Sequence, residues 1–322
     1  MKAIRFEKTG GPEVLKYEDI QLPPPAKGEV RVRHTAIGVN FIDTYHRSGL
    51  YKLPLPAGLG SEAAGTVEAL GEGVATLKKG DRVAYAGTLG AYAEANNVPA
   101  DKLVKLPDGV SDEVAAAAML KGMTAQYLLM RTYAVNPGET ILWHAAAGGV
   151  GTIACQWARH LGAHVIGTVG SDEKMALAKE NGCAHVLNLA KDDWVKRVRE
   201  LTKGDGVPVV YDSIGKATWA GSLDCLAVRG MMVSFGNASG AVPAFEPGIL
   251  AAKGSLYVTR PTLFSYTRNA KELQETADDL FAVLKSGAVK IHINQRFKLA
   301  DAAKAHEALH SRATTGATIL LP

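Results

Sequence analysis

The strongest pattern in the chain lies between positions 141 and 161. There an apolar run, Ile141-Leu142-Trp143, leads into Ala145-Ala146-Ala147-Gly148-Gly149-Val150-Gly151, and apolar residues then recur at helical spacing from Ile153. This reads as strand, glycine turn and helix. Further along, short apolar runs alternate with helical ones: 164–169 with 172–181, 185–189 with 192–202, then 207–211 and 231–235. Trp194, Val195, Val198 and Leu201 fall on one helical face, with Lys196, Arg197 and Arg199 opposite. Strands alternating with amphipathic helices predict an α/β fold with a doubly wound parallel sheet.

Both chain ends carry a different pattern. Up to about residue 122, period-two alternation such as Val30-Arg31-Val32-Arg33 is broken by Gly10-Gly11-Pro12, Pro23-Pro24-Pro25 and the turn at Gly80-Asp81. This predicts an antiparallel, barrel-like domain. Ser111 is the expected cap of an alanine-rich helix with Asp112 and Glu113 in its first turn. At the other end, Leu273, Ala277, Leu280, Phe281 and Leu284 mark an amphipathic helix, followed by a strand at 295–299, a helix at 302–309 and a strand at 317–321. None of these continues the winding, so they are expected to rejoin the first domain. The expected organisation is 1–122, then 123–266 as an inserted domain, then 267–322.

The glycine turn suits a dinucleotide. In such a unit the backbone approaches a pyrophosphate closely, and the helix N-terminus presents free N–H groups and a partial positive charge. Gly148 and Gly151 match the second and third glycines of the fingerprint, with Ala146 in place of the first. NAD selection needs an acid at the end of the second strand, whereas a 2′-phosphate needs that acid absent and a cation near. Val169 stands where the acid would be, Gly170 leaves room, Ser171 can donate and Lys174 brings charge, so NADPH is the expected cofactor. The plain alternative for Lys174 is an exposed helix lysine. Asp212, in Tyr211-Asp212-Ser213, ends a strand at the edge where such sheets bind ligands; it reads either as part of that edge or as a buried structural acid.

Composition narrows the classes. The 322 residues are 47% hydrophobic and 21% charged, with net charge +4, which suits an ordinary globular protein of two domains. No run of five basic residues and no Arg/aromatic interleaving occurs, so nucleic acid is not an expected partner. No apolar run approaches the ~20 residues of a membrane span, and the N-terminus opens as a strand without a secretory signal. The protein is read as cytoplasmic, with Cys155, Cys183 and Cys225 as buried free thiols. Nine histidines offer no metal-like spacing; His306 and His310 read as a solvated helix face.

Together, residues 145–151, Gly38-Val39-Asn40-Phe41-Ile42-Asp43, Gly80-Asp81-Arg82-Val83 and Val258-Thr259-Arg260-Pro261 give the chain a resemblance to the zinc-free, ζ-crystallin-like quinone oxidoreductases of the medium-chain dehydrogenase/reductase superfamily. The resemblance runs the length of the chain. It implies a Rossmann domain inserted in a GroES-like β-barrel-type catalytic domain, with the active site in the cleft joining them. It also implies a homodimer paired through the Rossmann sheet edge, for which Ser255-Leu256-Tyr257-Val258 has the apolar character. The implied reaction is NADPH-dependent hydride transfer to a quinone or another electrophilic small molecule. Zinc-dependent relatives place a Cys where this chain has Val39-Asn40-Phe41 and a His where it has Gly60-Ser61-Glu62, so no metal is expected.

By the same resemblance, Asn40, Asp43 and Tyr51 line the catalytic cleft; a reduced quinone is an oxyanion that takes protons from water or a nearby phenol, and Tyr45 or Tyr51 is the expected phenol to stabilise it. The residues implied at the cofactor are Phe41, Ile42, Tyr127, Ala147, Gly148, Gly149, Val150, Gly151, Gly170, Ser171, Lys174, Leu189, Ser213, Phe235, Gly236, Asn237, Arg260 and Arg312. Leu189 departs from the family, where this position often carries a Tyr against the phosphate and ribose; NADPH selectivity is expected to be lower for it. Structural readings stand beside these: Asn40 as a turn cap, Asp43 as a helix head, Tyr51 as a packing aromatic. Two other functions fit the scaffold. One is reduction of an activated C=C bond in an enal or enone; the other is an NADPH-binding crystallin-like or RNA-binding role, which the modest charge does not favour.

Overall fold

A computed structural model describes residues 1–311 and 314–322. Two compact units emerge: 1–123 with 266–286 and 291–322, and 124–265 with 287–290. The first begins with β1 (Lys2–Phe6), β2 (Lys16–Asp19), β3 (Glu29–Val39), α1 (Phe41–Ser48), β4 (Ala57–Gly58), β5 (Glu62–Leu70), β6 (Arg82–Ala86), β7 (Ala95–Pro99), β8 (Val104–Lys105) and α2 (Asp112–Tyr127), of which residues 124–127 go with the second. The second unit holds β9 (Thr140–Trp143), α3 (Gly149–His160), β10 (His164–Val169), α4 (Met175–Glu180), β11 (Cys183–Asn188), α5 (Trp194–Leu201), β12 (Val207–Asp212), α6 (Trp219–Cys225), β13 (Leu226–Ser234), α7 (Gly248–Ala252) and β14 (Tyr257–Thr259). The chain then returns to the first with α8 (Ala270–Lys285), β15 (Ile293–Lys298), α9 (Ala302–His310) and β16 (Ala317–Leu321).

In the first unit, β3 is the organising strand. Val30, Val32, Ile37 and Val39 point into the core, and β3 pairs antiparallel with β5, β7 and β16. The resulting sheet runs β15-β16-β3-β5-β6-β8, so the last strands close onto the first domain's sheet. A smaller sheet, β2-β1-β4, is separate. Ser111 accepts from the Val114 N–H at 3.2 Å, the expected cap of α2.

The second unit is a six-stranded sheet, β11-β10-β9-β12-β13-β14, with every neighbouring pair parallel. Chain order runs one way from β9 and the other way from β12, which creates a topological switch point between them. The strands read as continuous apolar runs because helices cover the sheet. His144 after β9 is fully buried, 2.8 Å from Thr168 Oγ1 and 2.9 Å from Ser222 Oγ, and burial lowers its pKa. Asp212 is fully buried and accepts from the Ile214 and Gly215 amides and the Thr218 and Ser222 hydroxyls. It is a structural acid that ties the loop after β12 to α6.

Three features differ from the pattern. His306 is fully buried, whereas His310 is exposed. The reason is that α9 buries the Ala302, Ala305 and His306 face and ends at His310, which overhangs its last turn. The expected helix at 172–181 opens as a separate 3-10 turn, Asp172–Lys174, before α4. Residues 287–290 go with the second unit, where Gln156 on α3 clasps both backbone groups of Lys290, its Oε1 accepting at 2.9 Å and its Nε2 donating at 3.0 Å. All three cysteines are buried and free.

Candidate functional site

The expected cofactor residues cluster on the second unit at the carboxyl ends of its strands. Residues 147–151 follow β9, Gly170 and Ser171 follow β10, Leu189 follows β11, Ser213 follows β12, residues 235–237 follow β13, and Arg260 follows β14. Parallel pairing puts these six ends on one edge of the sheet. Tyr127, at the end of α2, is buried in the same unit. Arg312 lies outside the described residues.

The turn after β9 is tightly built. Ala145 takes φ +56°, a left-handed conformation that costs a non-glycine residue, and its carbonyl accepts from the Gly148 N–H at 2.9 Å. A Cβ on Gly151 would lie 2.3 Å from that same carbonyl oxygen, so only glycine fits where α3 packs against the turn. The backbone ladder of α3 opens with the Thr152 N–H donating to Gly148 O. That leaves the first-turn amides of Gly149, Val150 and Gly151 at the positive end of the helix, the ordinary arrangement for a phosphate. Gly236 is equally constrained, since a Cβ there would lie 2.5 Å from Ser213 O.

Beyond β10, Gly170 has open space around it and Val169 is buried, with no acid at the strand end. Asp172, two residues past the open glycine, is a carboxylate whose charge would oppose a 2′-phosphate. It is neutralised: Lys191 Nζ pairs with its Oδ2, Asn188 Nδ2 donates to its Oδ1 at 2.6 Å, and the Lys191 bond, then the Asn188 bond, lowers its pKa. The Ser171 hydroxyl bonds Glu173 and lowers the pKa of that carboxylate too. Lys174 is half-buried in the 3-10 turn. Sequence reasoning missed Lys191, whose one signal is a lysine two residues past the departure at Leu189. Glycine room, first-turn amides and a lysine-neutralised rim fit a dinucleotide carrying a 2′-phosphate.

The expected catalytic residues belong to the first unit and gather around α1. Asn40 precedes the helix in extended conformation, and its backbone N–H donates to Asp43 Oδ2 at 2.8 Å. Asp43 thus heads the helix, and it is also fully buried. Burial raises its pKa to about 7, against the Asn40 and Tyr92 hydrogen bonds that lower it. Its other oxygen, Oδ1, has no hydrogen-bond partner among the described residues. Phe41, Tyr45 and Tyr51 form an aromatic run: the Phe41 and Tyr45 ring centroids are 6.2 Å apart, and Tyr51 meets Tyr45 edge-on at 5.2 Å. Ile42 is half-buried beside them.

Sequence reasoning missed what lies behind Asn40. Its Nδ2 donates to Glu62 Oε2 at 2.8 Å; Lys121 Nζ donates to the same oxygen at 3.0 Å, and the Leu120 N–H donates to Oε1 at 2.6 Å. Glu62 has no exposed surface and the Lys121 side chain only 6%. A Cβ on Gly38 would lie 2.1 Å from Glu62 Oε2 and 2.3 Å from Ala116 O, so a glycine in β3 is what admits the carboxylate. These residues do not fit a zinc ion: Val39, Asn40 and Ser61 supply no Cys or His ligand, and the one carboxylate is taken by an ammonium and two N–H donors.

Two family models match the chain: the alcohol dehydrogenase GroES-like domain over residues 26–108, and the zinc-binding dehydrogenase family over 149–282. A quinone oxidoreductase of Pseudomonas aeruginosa is 58% identical, with 100% of this chain and 99% of that protein covered. Quinone oxidoreductase 1 of Escherichia coli is 53% identical, with 99% of each covered. The crystal structure of the Escherichia coli quinone oxidoreductase complexed with NADPH superposes with a TM-score of 0.99 at 52% identity, covering 100% of both chains.

Proposed function

The chain belongs to the zinc-free quinone oxidoreductases of the medium-chain dehydrogenase/reductase superfamily, and from that membership we propose that it reduces quinones with NADPH without a metal. The observation that carries the cofactor half is the edge of the parallel sheet: constrained glycines, first-turn amides at the helix N-terminus and no acid at the end of β10. The amides of residues 149–151 would hold the pyrophosphate. Ser171 and Lys174, joined by Lys191, would hold the 2′-phosphate, with Arg312 added by family resemblance. The residues after β12, β13 and β14 would border the nicotinamide half. Bound there, NADPH supplies the hydride.

A quinone that accepts a hydride becomes an oxyanion, so the protein's part is to orient it and donate hydrogen bonds. Tyr45 and Tyr51 carry the phenols for this, and Asn40 and Asp43 supply polar groups at the head of the same helix. The single proton the reaction needs comes from water or a phenol. A homodimer is supported by β14, the outermost strand of its sheet, with Tyr257 59% exposed and Val228 72% exposed on the neighbouring strand. A cytoplasmic setting is supported by three buried thiols left unpaired.

The test is consumption of NADPH and NADH with a panel of ortho- and para-quinones against enals and enones, with and without a chelator. Chelator-insensitive NADPH oxidation by quinones is expected. Turnover confined to enals or enones would overturn the proposed acceptor.

A further inference from the structure

Glu62 and Lys121 form a buried ion pair directly behind Asn40, and no step proposed above uses it. The pair is not a surface accident, because Gly38 is required to admit it and Glu62 inserts into α2 far enough to take the Leu120 amide. The two Glu62 oxygens are used differently, with Oε1 accepting from the Leu120 N–H and Oε2 from both Asn40 Nδ2 and Lys121 Nζ. A carboxamide can point either way round. An acceptor-only carboxylate at Nδ2 permits one orientation, with the Asn40 carbonyl oxygen turned away from Glu62.

We propose that Lys121 is a positioning residue for Asn40: its ammonium anchors Glu62 Oε2, and Glu62 in turn holds the Asn40 carboxamide in a single orientation. The proposal rests on the reading of Asn40 as a residue of the quinone-reducing site. Without the ammonium, Glu62 Oε2 loses one of its two donors, and the carboxylate is no longer anchored on the side that faces Asn40. The orientation of Asn40 is then no longer unique. Lys121 therefore supplies the positive charge beside Glu62, and it acts through hydrogen-bond geometry and not as a Lewis acid.

The experiment compares wild type with Glu62→Gln, Lys121→Met and the double variant, measuring kcat, KM, NADPH binding by fluorescence and Tm. Glutamine is isosteric, yet it has one acceptor oxygen for two positions, so either Leu120 or Asn40 must face its amide group. Each single variant is expected to lose kcat by at least about tenfold, the scale of a misplaced reacting group, while NADPH affinity stays within about twofold because its phosphates bind the other unit. The double variant removes the lone buried charge, so its Tm is expected to recover relative to Lys121→Met while its kcat does not. Recovery of kcat together with Tm would assign the pair a purely structural role and overturn the proposal. So would a folded Glu62→Gln enzyme with unchanged kcat, and that variant carries the test if Lys121→Met fails to fold. A wild-type protein with no quinone turnover would overturn the functional reading instead.

Discussion

Tyr92 donates a 3.0 Å hydrogen bond to Asp43 Oδ2, and His306 Nε2 lies 3.1 Å behind the same hydroxyl. Arg47 Nη1 is 3.0 Å from His306 Nδ1, and a guanidinium can only donate. The imidazole therefore carries its proton on Nε2, and every bond in the series Arg47, His306, Tyr92 points its proton toward Asp43. Burial, then the nearby Arg47 charge, lowers His306 to about 3, so the ring stays neutral. Asp43 is the terminal acceptor of a buried chain, and it also stands at the head of the helix that presents Tyr45.

This arrangement predicts a pH signature. Asp43 has a folded pKa of about 7, above its unfolded value, because burial disfavours the carboxylate. Between the two values the folded state binds the extra proton, so the contribution is greatest at low pH and is lost as pH rises through 7. Asp43→Asn removes the titration and leaves an amide oxygen to accept from Asn40 and Tyr92. Relative to wild type, the variant should gain about 2–3 kcal/mol between pH 5 and pH 8. Urea unfolding at both pH values measures the difference, in which the His306 contribution cancels. A difference independent of pH would mean that Asp43 ionises at an ordinary value.

Cofactor selectivity should depend on Lys191. With Lys191→Ala, Asp172 loses its charged partner beside Ser171 and Lys174, and its negative charge opposes a 2′-phosphate while leaving a 2′-hydroxyl unaffected. The KM for NADPH should rise roughly fivefold and that for NADH should change little, a loss of well under one decade in selectivity. Leu189→Tyr should move the same ratio in the other direction. Equal effects on both cofactors would place Lys191 outside the phosphate site.

The parallel sheet is legible in the sequence because its strands are buried on both faces and alternate with amphipathic helices, and the glycine turn marks the binding edge directly. The ion pair behind Asn40 is not, since Glu62 and Lys121 are distant in sequence and meet only when β5 packs against α2. One signal exists: in the run 115–123, Lys121 is the only charged residue among alanines, methionines, Leu120 and Gly122. A charge embedded in an apolar helix asks for a buried partner. His306 departs from expectation for a related reason. Helical spacing from His310 suggests one face, but the helix stops at His310, so the two end in different surroundings.

The turn at Ala145 should tolerate no side chain at Gly151. A Cβ there would meet Ala145 O at 2.3 Å and the Ala146 carbonyl carbon at 2.8 Å, both backbone atoms that move only with the turn itself. Gly151→Ala should therefore shift the first turn of α3, and with it the amides offered to the pyrophosphate. NADPH affinity should fall at least about tenfold, or ~1.4 kcal/mol, together with a drop in Tm. Gly170→Ala, where the space is open, should leave Tm unchanged and serves as the control.

Oligomeric state is tested at β14. Its outer side is the free edge of the six-stranded sheet among the described residues; Tyr257 on it is exposed, and Val228 on the neighbouring strand is an apolar side chain 72% in solvent. An exposed edge strand is a template for pairing unless charge or proline blocks it, and within β14 neither is present. A twofold interface makes each substitution count twice, because the same patch is used by both copies. Tyr257→Lys with Val228→Lys should therefore convert a dimer to a monomer in light scattering, with NADPH binding retained because the carboxyl edge of the sheet is untouched. A mass of one chain for the wild type would remove the dimer, and an unchanged dimer in the double variant would move the interface to another face.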